Sequence, residues 1–102
     1  MILREEMSIA HRGIKVSFRG KPTLFKLACL VLGQPGRAVT QARMRATGGP
    51  WPNGVVDDGK VKNSMQRVKE HVSPLLPAIA DSIRTYTDGN QRVAILDWPL
   101  TI

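Results

Sequence analysis

At 102 residues and 11.2 kDa the chain is long enough for one domain and too short for two. Hydrophobic residues make up 42% of it, which argues against intrinsic disorder and provides for a single modest core. Fifteen Lys and Arg against eight Asp and Glu give a formal charge of +7 and a pI near 10.4. That balance suits a domain that meets a polyanion, nucleic acid first and an anionic membrane surface second.

The first eleven residues carry Arg4, Glu5 and Glu6 and lack the apolar stretch of a signal peptide. Ile2, Leu3, Met7 and Ile9 are irregularly spaced there, leaving a strand and a short helix both open. Ile14, Val16 and Phe18 then alternate with Lys15, Ser17 and Arg19, a period of two that predicts a half-buried strand closed by Gly20. Pro22 and Thr23 open a helix whose apolar positions are Leu24, Leu27, Ala28, Val31 and Leu32; Gly33, Pro35 and Gly36 end it. The longest apolar run, Leu27 to Leu32, is six residues, far short of a membrane span. The one cysteine, Cys29, lies inside it, reads as packing rather than as a nucleophile, and excludes an internal disulfide. A cytoplasmic protein outside the membrane is the resulting expectation.

Thr40 is an N-cap candidate for a short helix through Ala46. Gly48, Gly49, Pro50, Pro52, Asn53 and Gly54 spell a loop around Trp51, which either plugs the core edge or touches a partner. Asp57 or Asp58 caps the clearest helix, where Val61, Met65, Val68 and Val72 form one stripe at about 100° per residue. The opposite pole carries Asn63, Gln66 and Arg67, with Lys60 and Ser64 on one flank and Lys62 and Lys69 on the other. Pro74 stops this helix, and Pro77 leaves Leu75 to Ser82 ambiguous. Ile83 to Thr87 and Arg92 to Leu96 read as a hairpin turned by Asp88, Gly89 and Asn90. The tail from Asp97 to Ile102, with Trp98 and Pro99, is expected to lie against the body.

The charge is concentrated in the middle. From Arg12 to Lys69 there are twelve basic residues and two acids, so both ends together are net acidic. With the order strand, helix, turn, short helix, loop, long helix and hairpin, this predicts an α+β fold: a winged helix-turn-helix. It would have a three-helix core, N-terminal strands and a C-terminal hairpin as the wing, one domain over 1–102 with its core at about 14–96. In such a domain Asn63 and Arg67, spaced i, i+4, would face bases, since Asn pairs with adenine and Arg with guanine. Lys60, Lys62, Ser64, Gln66 and Lys69 would meet phosphates, as would Thr40 and Arg43 of the short helix. Any surface helix also sets polar residues opposite an apolar stripe; the basic excess and the following hairpin favour the nucleic-acid reading.

Several stretches resemble the winged-helix effector domain of OmpR/PhoB-type response regulators. Pro22 to Leu32 is similar to that family's first helix, with its Thr-x-x-Phe-x-x-Leu signature partly shifted. Pro35-Gly36-Arg37-Ala38-Val39-Thr40 resembles its Pro-Gly-Arg-Val-Val-Ser turn, the most specific of the matches. Val61 to Lys69 resembles its recognition helix, and Ile83-Arg84-Thr85 the start of its wing. The resemblance spans about residues 14–96. It implies base contacts at Asn63 and Arg67, phosphate contacts at Ser64, Gln66 and Lys69, and a wing contact. Thr87 stands where the family's wing carries an Arg, so Arg84, Thr85 or Arg92 would have to serve. Asn90 and Gln91 replace its Gly-Tyr. The loop around Trp51 corresponds to the family's RNA polymerase contact but differs in composition. No receiver domain fits in the chain.

Two functions follow as expectations. The first is a sequence-specific double-stranded DNA-binding transcription regulator, or an excisionase-like architectural factor, acting as a homodimer or in tandem, with RNA polymerase or another regulatory protein as a further partner. The second is a protein-interaction module on the same scaffold, such as an anti-activator. No nucleophile–base arrangement, phosphate-binding glycine loop or paired carboxylates is visible, and His11, His71 and Cys29 match no zinc pattern. The chain is therefore expected to be no enzyme and to hold no cofactor or metal.

Overall fold

Local chemistry sets where each element begins and ends in the computed structural model, which describes residues 2–74 and 76–97. The first sheet is a three-stranded antiparallel meander of β1 (Ile2–Leu3), β2 (Ser8–His11) and β3 (Ile14–Ser17). His11 pairs with Ile14, leaving a two-residue turn in which Arg12 and Gly13 both have positive φ, 51° and 80°. That is the backbone of a type I′ hairpin. Arg is an unusual residue for it, so the irregular N-terminus resolves into strands that its sequence did not announce. Ile14, at the turn, is 40% exposed, whereas Val16 and Phe18 are buried as their alternation predicts.

Helix α1 (Pro22–Leu32) has Pro at its first position, where the missing N–H costs nothing. Helix α2 (Gln41–Met44) is capped by Thr40, whose hydroxyl accepts the Arg43 N–H. It ends two residues before the Ala46 expected from sequence. The N–H groups of Trp51 and Asn53 take the carbonyls of Met44 and Arg45, at 3.0 and 3.1 Å, that further helical turns would need. Helix α3 (Asp58–Val72) follows, and then α4 (Pro77–Asp81), again with Pro at its start. The described residues thus hold four helices, not the three expected; the ambiguous segment is helical because Pro77 initiates a helix more readily than it interrupts one.

Strands β4 (Ile83–Asp88) and β5 (Gln91–Leu96) form the second sheet. Asp88 pairs with Gln91, so Asp88 belongs to the ladder and the turn is Gly89-Asn90 alone, with positive φ only at Gly89. The segment between α1 and α2 lies along the other edge of β5. Val39 and Ala94 exchange two backbone hydrogen bonds, 2.7 and 3.2 Å, and the Gly36 N–H donates to Leu96. The fold is therefore α+β, with two small antiparallel sheets and no barrel.

The core lies where α1, α3 and β5 meet. Phe18, Leu27, Leu32, Met65, Val68 and Leu96 are almost wholly buried there. Phe18 also joins α1 to the last turn of α3, its ring lying 5.7 Å from that of Phe25 and 4.5 Å from that of His71. Cys29 is buried, and desolvation pushes its thiol above the ordinary range, so it packs rather than reacts. No helix among the described residues is long and apolar enough to cross a membrane. The expected docking of the tail falls on residues 98–102, outside the described residues.

Candidate nucleic-acid interface

Helix α3 is set in place from both ends. Asp57 is its N-cap: Oδ1 accepts the Lys60 N–H at 2.7 Å. The neighbouring Asp58 does something different. Its Oδ1 accepts from Gln41 Nε2 of α2 at 2.8 Å and from the Arg92 N–H of β5 at 2.9 Å. One carboxylate thus ties α2, α3 and the hairpin together. At the other end the His71 ring hydrogen-bonds the Ser17 carbonyl and packs against the Phe18 ring at a 45° tilt. A carbonyl only accepts, so Nε2 carries the proton. His71, which matches no zinc pattern in the sequence, thus has a structural role.

Between these anchors Val61, Met65, Val68 and Val72 are buried, all four as the stripe predicts. Their burial turns the other side outward: Lys60, Lys62, Asn63, Gln66 and Arg67 are exposed, and Ser64 and Lys69 half-buried. Two grooves border this ridge. One, about 560 Å³, separates α3 from the first turn of α1 and is bounded by Lys21, Thr23, Trp51, Lys60, Asn63 and Arg67. The other, about 190 Å³, separates α3 from β4 and is bounded by Lys62, Gln66, Lys69, Arg84 and Thr85. No acid lines either groove. Glu70, on the outer pole, accepts from Gln66 Nε2 at 3.2 Å.

The residues singled out from sequence divide by what they already touch. Among the described residues Lys62, Asn63, Ser64, Arg67 and Lys69 have no side-chain hydrogen bond or ion pair. Lys60 donates to the Val55 carbonyl at 3.1 Å and sits 4.9 Å over the Trp51 ring. Trp51 is half-buried against the core, the plugging role of the two its loop position left open, and also walls the first groove. Arg84 faces Asp97 at 3.6 Å across solvent, an ion pair of little worth. Arg92 donates to Thr85 Oγ1 at 3.0 Å, so those two hairpin residues hold each other. Thr40 is occupied as a cap, and Arg43 donates to Gln34 at 2.9 Å. Thr40, Arg43 and Arg92 line neither groove, so the site assembles on α3, the start of α1 and β4, with α2 outside it.

Sequence reasoning missed Lys21, Thr23 and the Asp58–Gln41 pair. Nothing in the string distinguishes Asp58 from Asp57 as the cap, and the approach of α1 to α3 is a tertiary fact.

The hydrogen bonds to Asp58 favour its charged form. The Arg92 N–H first, then the Gln41 amide and the Arg92 charge, hold its carboxyl below the usual range. A carboxyl lowered in the folded chain contributes stability that is complete above the unfolded value of about 3.9 and is lost as pH falls through the folded one. In urea unfolding, wild type is expected to exceed Asp58→Asn most at neutral pH, the gap narrowing below pH about 4. A gap independent of pH would show that Asp58 is not the group titrating.

Comparison with family models, with curated proteins and with solved structures finds no match to the chain.

Proposed function

We propose that the chain is a winged helix-turn-helix protein that binds double-stranded DNA in a sequence-specific way and regulates transcription. The observation that carries this reading is the outer face of α3, where Asn63 and Arg67 have no hydrogen-bond or ion-pair partner among the described residues and line the first of two grooves that carry cations and, among those residues, no acid. A helix that spends its lysines and arginines on internal ion pairs has little left for a ligand; among the described residues this one leaves four of its six cationic and amide groups at the ridge unengaged, Lys62, Asn63, Arg67 and Lys69 against Lys60 and Gln66. In the proposed complex α3 enters the major groove. Asn63 reads adenine and Arg67 guanine through bidentate hydrogen bonds. Lys62 and Lys69 lie against phosphates and release counterions, supplying affinity without sequence information. The hairpin β4–β5 lies beside α3 as the wing, its inner surface held by Asp58, and brings Arg84 toward the backbone. A module this small buries limited interface, so two copies, paired or in tandem, would share a site.

Lys69→Ala tests the electrostatic half. It is expected to weaken binding to all duplexes alike and to flatten the plot of log affinity against log salt by about 0.9. An unchanged slope would remove Lys69 from the interface. If the wild-type chain shifts no duplex at low salt but co-purifies with a stoichiometric protein, the protein-interaction reading takes its place. The 80% exposure of Val55, in the loop before α3, supports that second reading.

A further inference from the structure

We propose that the groove between α3 and the first turn of α1 seats the sugar–phosphate backbone of one DNA strand, with Lys21 as its phosphate contact and Trp51 as the residue that positions Lys60. The inference rests on the DNA reading above and adds to it a second strand contact, on an element outside the recognition helix.

A helix lying in the major groove, about 12 Å wide, has a phosphate strand along each side. On the β4 side of α3 the chain offers Lys62, Lys69 and Arg84 to one strand. The opposite side would present nothing beyond α3 itself were it not for α1. There Lys21, just ahead of that helix, faces Lys60 and Arg67 across the groove. Three cations from two elements converge with no acid among the lining residues, so the groove repels cations and complements a polyanion. Its walls are mixed in a way that fits a nucleotide backbone better than a free anion. The charged groups stand at the rim, and the half-buried Leu24 supplies apolar surface beneath them for deoxyribose. The Lys21 side chain has no hydrogen bond or ion pair among the described residues, so phosphate binding would break nothing. Lys60 is held at the same rim by the Trp51 ring and the Val55 carbonyl. The Trp51 loop therefore limits the freedom of a long side chain that would otherwise lose more entropy on binding.

Lys26 provides the control. It is an exposed lysine on α1 that lies outside this groove, bordering a different hollow. Lys21→Ala and Lys26→Ala remove the same charge, from the N-cap and the body of α1, so a difference between them reports contact and not overall field. Binding to a labelled mixed-sequence duplex would be titrated between about 50 and about 200 mM salt. Lys21→Ala is expected to lower the salt slope by about 0.9 and to lose phosphate-ethylation interference on one strand only, with Lys26→Ala like wild type in both. Thermal unfolding checks that each variant is folded, and Lys21→Gln replaces the alanine variant if that one is not. Wild type that binds while Lys21→Ala matches it, or while Lys26→Ala falls equally, overturns this inference and leaves the DNA reading standing. Wild type that binds no duplex at the lowest salt overturns both.

Discussion

Binding sites selected from a random-sequence duplex pool with Arg67→Ala are expected to differ from the wild-type set at one position, where the preference for guanine flattens. A guanidinium presents donors in a rigid fork that matches guanine O6 and N7, and a good bidentate pair discriminates by about 1–3 kcal/mol. At about 1.4 kcal/mol per tenfold, the cognate base should lose roughly one order of magnitude of preference or more. Arg67 is suited to this role because it is exposed on the outer face of α3 and makes no hydrogen bond or ion pair among the described residues. Arg67→Lys separates reading from charge. The ammonium keeps the net charge and much of the non-specific affinity but lacks the planar fork, so the preference should still flatten. A selected motif identical for wild type, Arg67→Ala and Arg67→Lys would remove Arg67 from base recognition.

Phe18→Ala is expected to destabilise the fold by about 3–5 kcal/mol in urea unfolding. The side chain is fully buried, and it touches three separate parts of the molecule: the first sheet to which it is attached, Phe25 of α1, and His71 near the end of α3. Truncation leaves a cavity that these parts can close only by moving relative to one another, which lost transfer energy alone would not require. Against the roughly 5–15 kcal/mol total of ordinary domains, such a loss takes a small one to the edge of folding. Phe18→Leu, which keeps most of the volume, should cost much less. A Phe18→Ala cost below about 1 kcal/mol would mean that the N-terminal sheet is dispensable to the core.

Periodicity was a sound guide wherever burial was one-sided. The stripe Val61, Met65, Val68 and Val72 is buried in full, and α1 runs from Pro22 to Leu32 as its proline and glycines direct. Thr40 caps as its residue type suggests. The failures have separate causes. Arg12 adopts a left-handed turn conformation that its type disfavours, so the β2–β3 hairpin carries only half of a turn signature, Gly13. The end of α2 is decided by N–H groups seven and eight residues further on, in the Trp51 loop. The structural role of His71 is not legible in sequence because Ser17 and Phe18, its partners, lie more than fifty positions away.

What the amino-acid string determined alone is β3, α1, α2, α3, the β4–β5 hairpin and the outward polarity of α3, because helical and strand periods are local and each buried stripe leaves only one side for water. Tertiary structure decided which outward residues remain available. Among the described residues Lys62, Asn63, Arg67 and Lys69 stay unpaired, while Thr40, Arg43 and Arg92 are taken up by partners three to nine positions away and His71 by one 54 positions away. Hydrogen bonds and ion pairs act over a few ångströms of space, so a side chain's freedom depends on what the chain folds beside it, which no local period records.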